Sequence, residues 1–281
     1  MRKELTLVPT SRREKAKVFR SLHEGPDPLL MPNPWDVGSA KILAWLGFKA
    51  LATTSGGSAA ALGKLDGQVT RDEALAHAAA MVAAVDVPVS ADLENGFGDE
   101  PRAAAATIRD AVTAGLAGGS IEDSTAQGRA GAIYELGLAR ERVTAAAEAA
   151  HGRGVDFVLT ARCENYLHGR PELADTIARL QAYQEAGADV LFAPGASTAE
   201  EIRQIVGSVD RPVSVLAVAG VPPVAELAEM GVARVSIGGG FAYTALSALI
   251  DAAEEFRDQG TYGFGAASRR GVKAVRTAFG A

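Results

Sequence analysis

Thr113-Ala-Gly-Leu-Ala-Gly-Gly-Ser-Ile-Glu-Asp123 reads as a helix end, a tight glycine turn and a short apolar strand that stops at acids. Glycine supplies the backbone freedom that closes a helix before the chain turns back. The same grammar returns at Glu185-Ala-Gly-Ala-Asp-Val190 and Glu229-Met-Gly-Val-Ala-Arg-Val235. Working outward, the spacing predicts eight strands: 28–32, 50–54, 88–92, 119–122, 156–161, 189–193, 212–217 and 234–237. Ala-rich segments of helical period lie between them at 36–46, 71–85, 101–114, 139–151, 172–186, 199–206 and 222–230, and another runs from 241 to 256. Thr70 and Thr198 suit helix N-caps, while Pro101 and Pro222 suit first helical turns. Eight βα units in about 250 residues match an α/β fold of the (β/α)8 barrel type. A doubly wound sheet would carry a dinucleotide fingerprint, and Gly238-Gly-Gly240 lacks its spacing. An extra amphipathic N-terminal helix is expected over 11–24, and a C-terminal helical extension over 268–278. No linker is long enough to divide 1–281, so one domain is expected.

Composition narrows the partners. The 281 residues carry 28 basic and 34 acidic side chains, a net charge of −6 without long runs of one sign, so neither nucleic acid nor an anionic membrane is an expected partner. One cysteine, Cys163, excludes an internal disulfide framework and any multi-cysteine metal site. The basic start Met1-Arg-Lys lacks the apolar segment of a signal peptide, and no stretch reaches membrane-spanning length, which points to a cytoplasmic location.

Active sites of such barrels sit at the C-terminal strand ends, and here those ends are acidic. The third predicted strand ends in Asp92-Leu-Glu94 and the fourth in Glu122-Asp123. Extended backbone would send Asp92 and Glu94 to one side, with Glu122 beside them on the next strand. Clustered carboxylates repel unless a cation or a shared proton offsets the repulsion, and oxygen-only ligands favour Mg²⁺ or Mn²⁺. Arg162, ending the fifth strand, offers a fixed cation for a carboxylate or a developing enolate oxygen. Ser55-Gly56-Gly57 reads as a small-residue turn with exposed amides for a ligand carboxylate. Cys163 reads as buried packing and His168 as a solvated loop residue. A Ser-His-Asp hydrolase is disfavoured, since no Gly-x-Ser-x-Gly elbow occurs.

Taken in order, Asn33-Pro-Trp-Asp36, Thr54-Ser-Gly-Gly57, Leu65-Asp-Gly67, Asp92-Leu-Glu-Asn-Gly-Phe-Gly98, Glu122-Asp123 and Ala161-Arg162 resemble the isocitrate lyase and phosphoenolpyruvate mutase superfamily. That resemblance implies a Mg²⁺- (or Mn²⁺-) dependent enzyme acting on 2-oxo acids or their enol forms. It also implies a homotetramer, a dimer of dimers in which paired subunits exchange a terminal helix. By the same resemblance Asp92, Glu94 and Glu122 hold the metal directly or through water, and Ser55, Gly56, Gly57 and Arg162 bind the substrate. Asp66 closes over it, and Arg162, Asp66 and Glu122 form the catalytic set.

Departures narrow the chemistry. Where lyases for isocitrate and methylisocitrate carry Lys-Lys-Cys-Gly-His or a close variant, this chain has Ser124-Thr-Ala-Gln-Gly-Arg-Ala130, and the lysine and asparagine of the phosphonate enzymes are also missing. Phe192-Ala-Pro-Gly-Ala196 makes a small, uncharged pocket wall, and Glu94 replaces the commoner aspartate. The expected function is a Mg²⁺-dependent carbon–carbon bond lyase acting on a 2-oxo or 2-hydroxy acid through a pyruvate-type enolate. Water, Tyr166 or Tyr243 would replace the absent thiol acid. The alternatives are an oxaloacetate decarboxylase, a phosphonopyruvate or phosphoenolpyruvate enzyme, and a catalytically lapsed ligand-binding barrel.

Overall fold

The structure, a computed structural model, describes residues 11–125, 132–152 and 154–280. Ala126–Ala130, part of the loop departure noted above, lie outside the described residues.

The strands are β1 (Leu29–Met31), β2 (Leu51–Ala52), β3 (Val89–Asp92), β4 (Gly118–Glu122), β5 (Val158–Arg162), β6 (Val190–Phe192), β7 (Val213–Leu216) and β8 (Arg234–Ser236). All eight expected strands are present. They pair in parallel in the order β1-β8-β7-β6-β5-β4-β3-β2. The remaining gap is bridged where the Ala52 amide donates to the Pro32 carbonyl at 3.1 Å, and the ring becomes a (β/α)8 barrel. Asn33 reinforces the seam: its Nδ2 donates to the Thr53 carbonyl at 2.9 Å, and its Oδ1 accepts from the Ile237 amide at 3.0 Å.

Around the barrel run α1 (Arg12–Ser21), α2 (Val37–Trp45), α3 (Ser55–Ala61), α4 (Arg71–Ala84), α5 (Pro101–Ala114), α6 (Leu136–His151), α7 (Leu173–Glu185), α8 (Ala199–Gly207), α9 (Val224–Glu229), α10 (Gly240–Gln259) and α11 (Gly265–Ala278). Thr70 and Thr198 cap α4 and α8 in reciprocal boxes with Glu73 and Glu201, as their spacing predicts. Pro101 opens α5, whereas Pro223 takes the N-cap of α9 and leaves Pro222 outside the helix. The core lies between strands and helices, where small side chains such as Ala104, Ala111, Ala146 and Ala150 let α5 and α6 approach around Ile108 and Val143.

The lower mouth is stoppered by α1. Phe19 is fully buried against Gly118, where an added Cβ would lie 2.7 Å from its ring, so only glycine admits the plug. At the other end of the chain α10 buries only Ala242 and α11 buries nothing. The Lys41 ammonium of α2 sits 5.4 Å above the Phe279 ring, just beyond α11.

Candidate active site

Strand register builds the site. Asp92, the last residue of β3, pairs with Ser120, two residues short of the end of β4, where Glu122 pairs with Arg162; the Arg162 side chain spans that step and meets both acids at the upper mouth. The Thr53 hydroxyl accepts the Asp92 amide at 2.9 Å, tying the metal-site candidate to the end of β2. Beyond Asp92 the extended alternation fails. Glu94 takes a left-handed φ of 48°, which a non-glycine residue adopts only when its surroundings hold it there. The Glu122 amide supplies that hold by donating to the Glu94 carbonyl at 3.0 Å.

Arg162 is the hub. Its guanidinium lies 3.0 Å from Asp92 Oδ1, 3.3 Å from Glu122 Oε2 and 2.9 Å from Glu164 Oε1, and 5.5 Å from the Phe192 ring centre. Burial alone would lower its pKa, but the acids, Glu164 foremost, raise it well above the usual value. Glu122 is shifted up by burial and then by Glu164, although the Ser124 hydroxyl donates to it at 2.8 Å. Burial, then Asp92, then Asp66 push Glu94 to about 8. The mouth thus holds more carboxylate than one guanidinium can neutralise.

Ser55-Gly56-Gly57 is not a loop turn. It forms the first turn of α3, capped by Thr54, because its small residues fit the crowded junction with α10. A Cβ on Gly56 would come within 2.7 Å of the Tyr243 hydroxyl and 3.3 Å of Asp66 Oδ2, and one on Gly57 within 2.6 Å of Thr54 Cγ2. The Ser55 amide already points at Asp92 Oδ2, 3.4 Å away. Asp66, from the loop between α3 and α4, reaches the same place. A cavity of about 200 Å³ descends from this mouth into the barrel, lined by Ser55, Gly56, Asp66, Asp92, Arg162 and Tyr243 among others.

The sequence-predicted acids therefore meet at one mouth, but unevenly. Glu122 turns to Arg162 and Ser124, and among the described residues no three His, Cys, Asp or Glu side chains converge as a ready metal cluster. Asp123 faces away from the mouth: it accepts from the Glu164 amide at 2.8 Å, Arg179 at 3.2 Å and the Tyr183 hydroxyl at 2.5 Å, bracing β5 against α7. Cys163 is buried, and burial raises its thiol far above the range of a nucleophile. Tyr166 donates to Glu201 at 3.1 Å outside the cavity, so of the two tyrosines only Tyr243 lines it. Glu164 is the partner that sequence reading did not single out. Its signal was the alternation that sets it two residues after Arg162.

Known proteins agree with this architecture. A chain from Burkholderia cenocepacia J2315 with a provisional lyase/mutase designation superposes with a TM-score of 0.91 at 50% identity, covering 94% of this chain and 96% of its own. Oxaloacetate acetylhydrolase in complex with its product oxalate superposes with a TM-score of 0.84 at 25% identity, over 93% and 94% of the two chains. The 2,3-dimethylmalate lyase of Eubacterium barkeri is 32% identical over 184 residues, 63% of this chain and 62% of that one. The phosphoenolpyruvate phosphomutase family model matches residues 19–257, and the chain belongs to that family, an enzyme of the isocitrate lyase and phosphoenolpyruvate mutase superfamily of carbon–carbon lyases and mutases.

Proposed function

We propose that the protein is a divalent-metal-dependent carbon–carbon lyase that cleaves or forms a 2-oxo or 2-hydroxy acid through a pyruvate-type enolate. The observation that carries this reading is Arg162, a partly buried guanidinium lining the cavity between Asp92, Glu122 and Glu164. A fixed cation in a water-poor site stabilises an oxyanion that develops during reaction, and a preorganised donor of this kind contributes roughly 10²–10³ in rate.

The acids fit Mg²⁺ or Mn²⁺ by donor type and by charge, since hard oxygen donors are in excess and burial, then the charges of Asp92 and Asp66, push Glu94 toward its neutral form. Asp92, Glu94 and Glu122 would hold the ion, directly or through water. When bound, it supplies Lewis-acid stabilisation of the substrate's carbonyl and enolate oxygens. The α3 turn at Ser55–Gly57 presents the substrate carboxylate to amide hydrogens, and Asp66 covers it. Tyr243 holds the proton for the enolate carbon: its hydroxyl stands at Gly56 and Asp66 in the cavity wall. No Cys-His pair is present at 124–130 to do so.

The uncharged wall at Phe192 and Pro194 favours a small or apolar departing fragment. Cleavage of oxaloacetate is the second reading, supported by the likeness to oxaloacetate acetylhydrolase. The exposed apolar side chains of α10 and α11, Leu246, Leu249, Ile250, Val272 and Val275, fit cover by further copies of this chain in a helix-exchanged tetramer. Light scattering checks that assembly by its mass. For the reaction, proton NMR with Mg²⁺ and then chelator, against 2,3-dimethylmalate, oxaloacetate, methylisocitrate and phosphonopyruvate, is expected to show metal-dependent release of pyruvate or another 2-oxo acid from a carbon skeleton. Phosphorus release alone would contradict the lyase reading.

A further inference from the structure

Below Arg162, which is partly exposed at the mouth, the barrel holds a buried guanidinium, Arg234 of β8, which is 3% exposed. Its Nε donates to the Ser214 hydroxyl at 3.0 Å and its Nη2 to the Thr160 hydroxyl at 3.0 Å; Nη1 faces His23 Nε2 at 3.3 Å. All three partners are neutral. The His23 ring turns Nδ1 toward the Phe19 carbonyl, 2.8 Å away, which leaves Nε2 as an acceptor for Arg234. Burial, followed by the charge of Arg234, holds that imidazole uncharged, at a pKa of about 3.

The other buried arginines are treated differently. Arg142 is met by the carbonyls of Asn95, Gly98 and Asp99, and Arg179 by Asp123, Asp175 and the Tyr134 carbonyl. Arg162 has three acids. Among these four, Arg234 alone has neither a carboxylate nor a carbonyl acceptor. A guanidinium carries five N–H hydrogens, so those three contacts do not exhaust it. Burying an uncompensated charge costs several kcal/mol even after relaxation, so natural cores avoid it unless a counter-ion arrives. Burial and then Arg162 lower the pKa of Arg234 to about 9, which leaves it charged near neutrality. The cavity from the upper mouth reaches this residue, and Ser90, Ser120, Thr160 and Ser236 are among its lining residues, with the Thr160 hydroxyl in contact with Arg234. A cation, a ring of hydroxyl donors and an open path are the three requirements of an anion site.

We infer that the floor of the barrel cavity is a binding well for a small monoanion, a carboxylate group or a halide, with Arg234 as its cation and Ser90, Ser120 and Thr160 as flanking donors. Two sources carry this chemistry: the far carboxylate of a diacid substrate, which rests on the oxo-acid reading above, or a free inorganic anion, which does not. The well also gives the hydroxyl-rich interior of the barrel a purpose that packing alone lacks.

The test is bromide anomalous diffraction on crystals of the full chain grown without halide, which needs no turnover and stands or falls apart from the lyase reading. A bromide peak within hydrogen-bonding distance of Arg234 is expected in the wild type and in Arg234→Lys, and its loss in Arg234→Met. Displacement of that peak by 3,3-difluorooxaloacetate but not by oxalate assigns the well to a diacid's far carboxylate. Retention with both assigns it to an independent anion. Absence of both bromide and ligand carboxylate at Arg234 in the wild type overturns the inference. So does a peak that survives in Arg234→Met, which would be an adventitious ion only. Should Arg234→Met fail to fold, the wild-type and Arg234→Lys crystals still decide.

Discussion

At the lower mouth, Asp189 takes Arg20 at 2.8 Å, His151 at 2.9 Å and the Leu159 amide at 2.8 Å, so the acid that ties α1 to β5 and α6 is fully matched. At the upper mouth, Asp92, Glu122 and Glu164 share the one guanidinium of Arg162, and Glu94 and Asp66 stand close by. Burial works to raise Asp189, yet hydrogen bonds from His151 and Arg20 outweigh it and hold the carboxyl below its usual range. The upper acids Glu94, Glu122 and Glu164 move the opposite way. Buried acids serve structure where each charge is matched, and where charge is left over they mark chemistry that a ligand completes.

The largest effect that can break this comparison belongs to Asp92→Ala. It should abolish metal-dependent turnover while the unfolding transition stays near that of the wild type, since an upper-mouth acid adds little to the core. Undiminished turnover in that variant would remove the proposed metal site. Arg162→Lys keeps the charge but loses the planar fork, and kcat should fall about 10²–10³-fold with the fold intact, as steady-state kinetics and urea unfolding would show.

At the lower mouth the signs reverse. Asp189→Asn should leave kcat/KM unchanged and cost about 1.5–3 kcal/mol in urea unfolding, the range for hydrogen bonds to a charged group. Because the folded carboxyl lies below its unfolded value of 3.8, its contribution is complete above that value and is lost as pH falls through the folded one. The stability gap between wild type and Asp189→Asn should therefore be constant near neutrality and close only in acid. A gap that closes already near neutrality would contradict the carboxyl as its source. Smaller still, Gly56→Ala should push Tyr243 or Asp66 aside and depress turnover by roughly tenfold, about 1.4 kcal/mol and within the usual cost of overpacking. Cys163→Ala should leave the rate unchanged, since the thiol is buried away from the mouth.

The fold was legible in the sequence because helix ends such as Ala114-Gly115 and Ala186-Gly187 punctuate most units, and the apolar strands between them are too short to be anything else. The acids and Arg162 were legible because strand ends face one mouth. What escaped reading were contacts set by neighbours in space. Ser55–Gly57 looks like a turn until α10 packs Tyr243 and Ala242 against it. Glu94 looks coplanar with Asp92 until its backbone turns left-handed to meet β4. Arg234 carries no role in the sequence until register places it between Ser214 and Thr160 inside the barrel.

Solvent deuterium exchange into the methyl protons of pyruvate, followed by proton NMR in deuterated water with Mg²⁺ and then with chelator, reaches the central claim most directly. The account predicts exchange with the wild type that stops on chelation and is absent in Asp92→Ala and Arg162→Met. Exchange that persists in chelator or in Arg162→Met, or no exchange alongside proven oxalate binding, would contradict a metal-and-arginine enolate site.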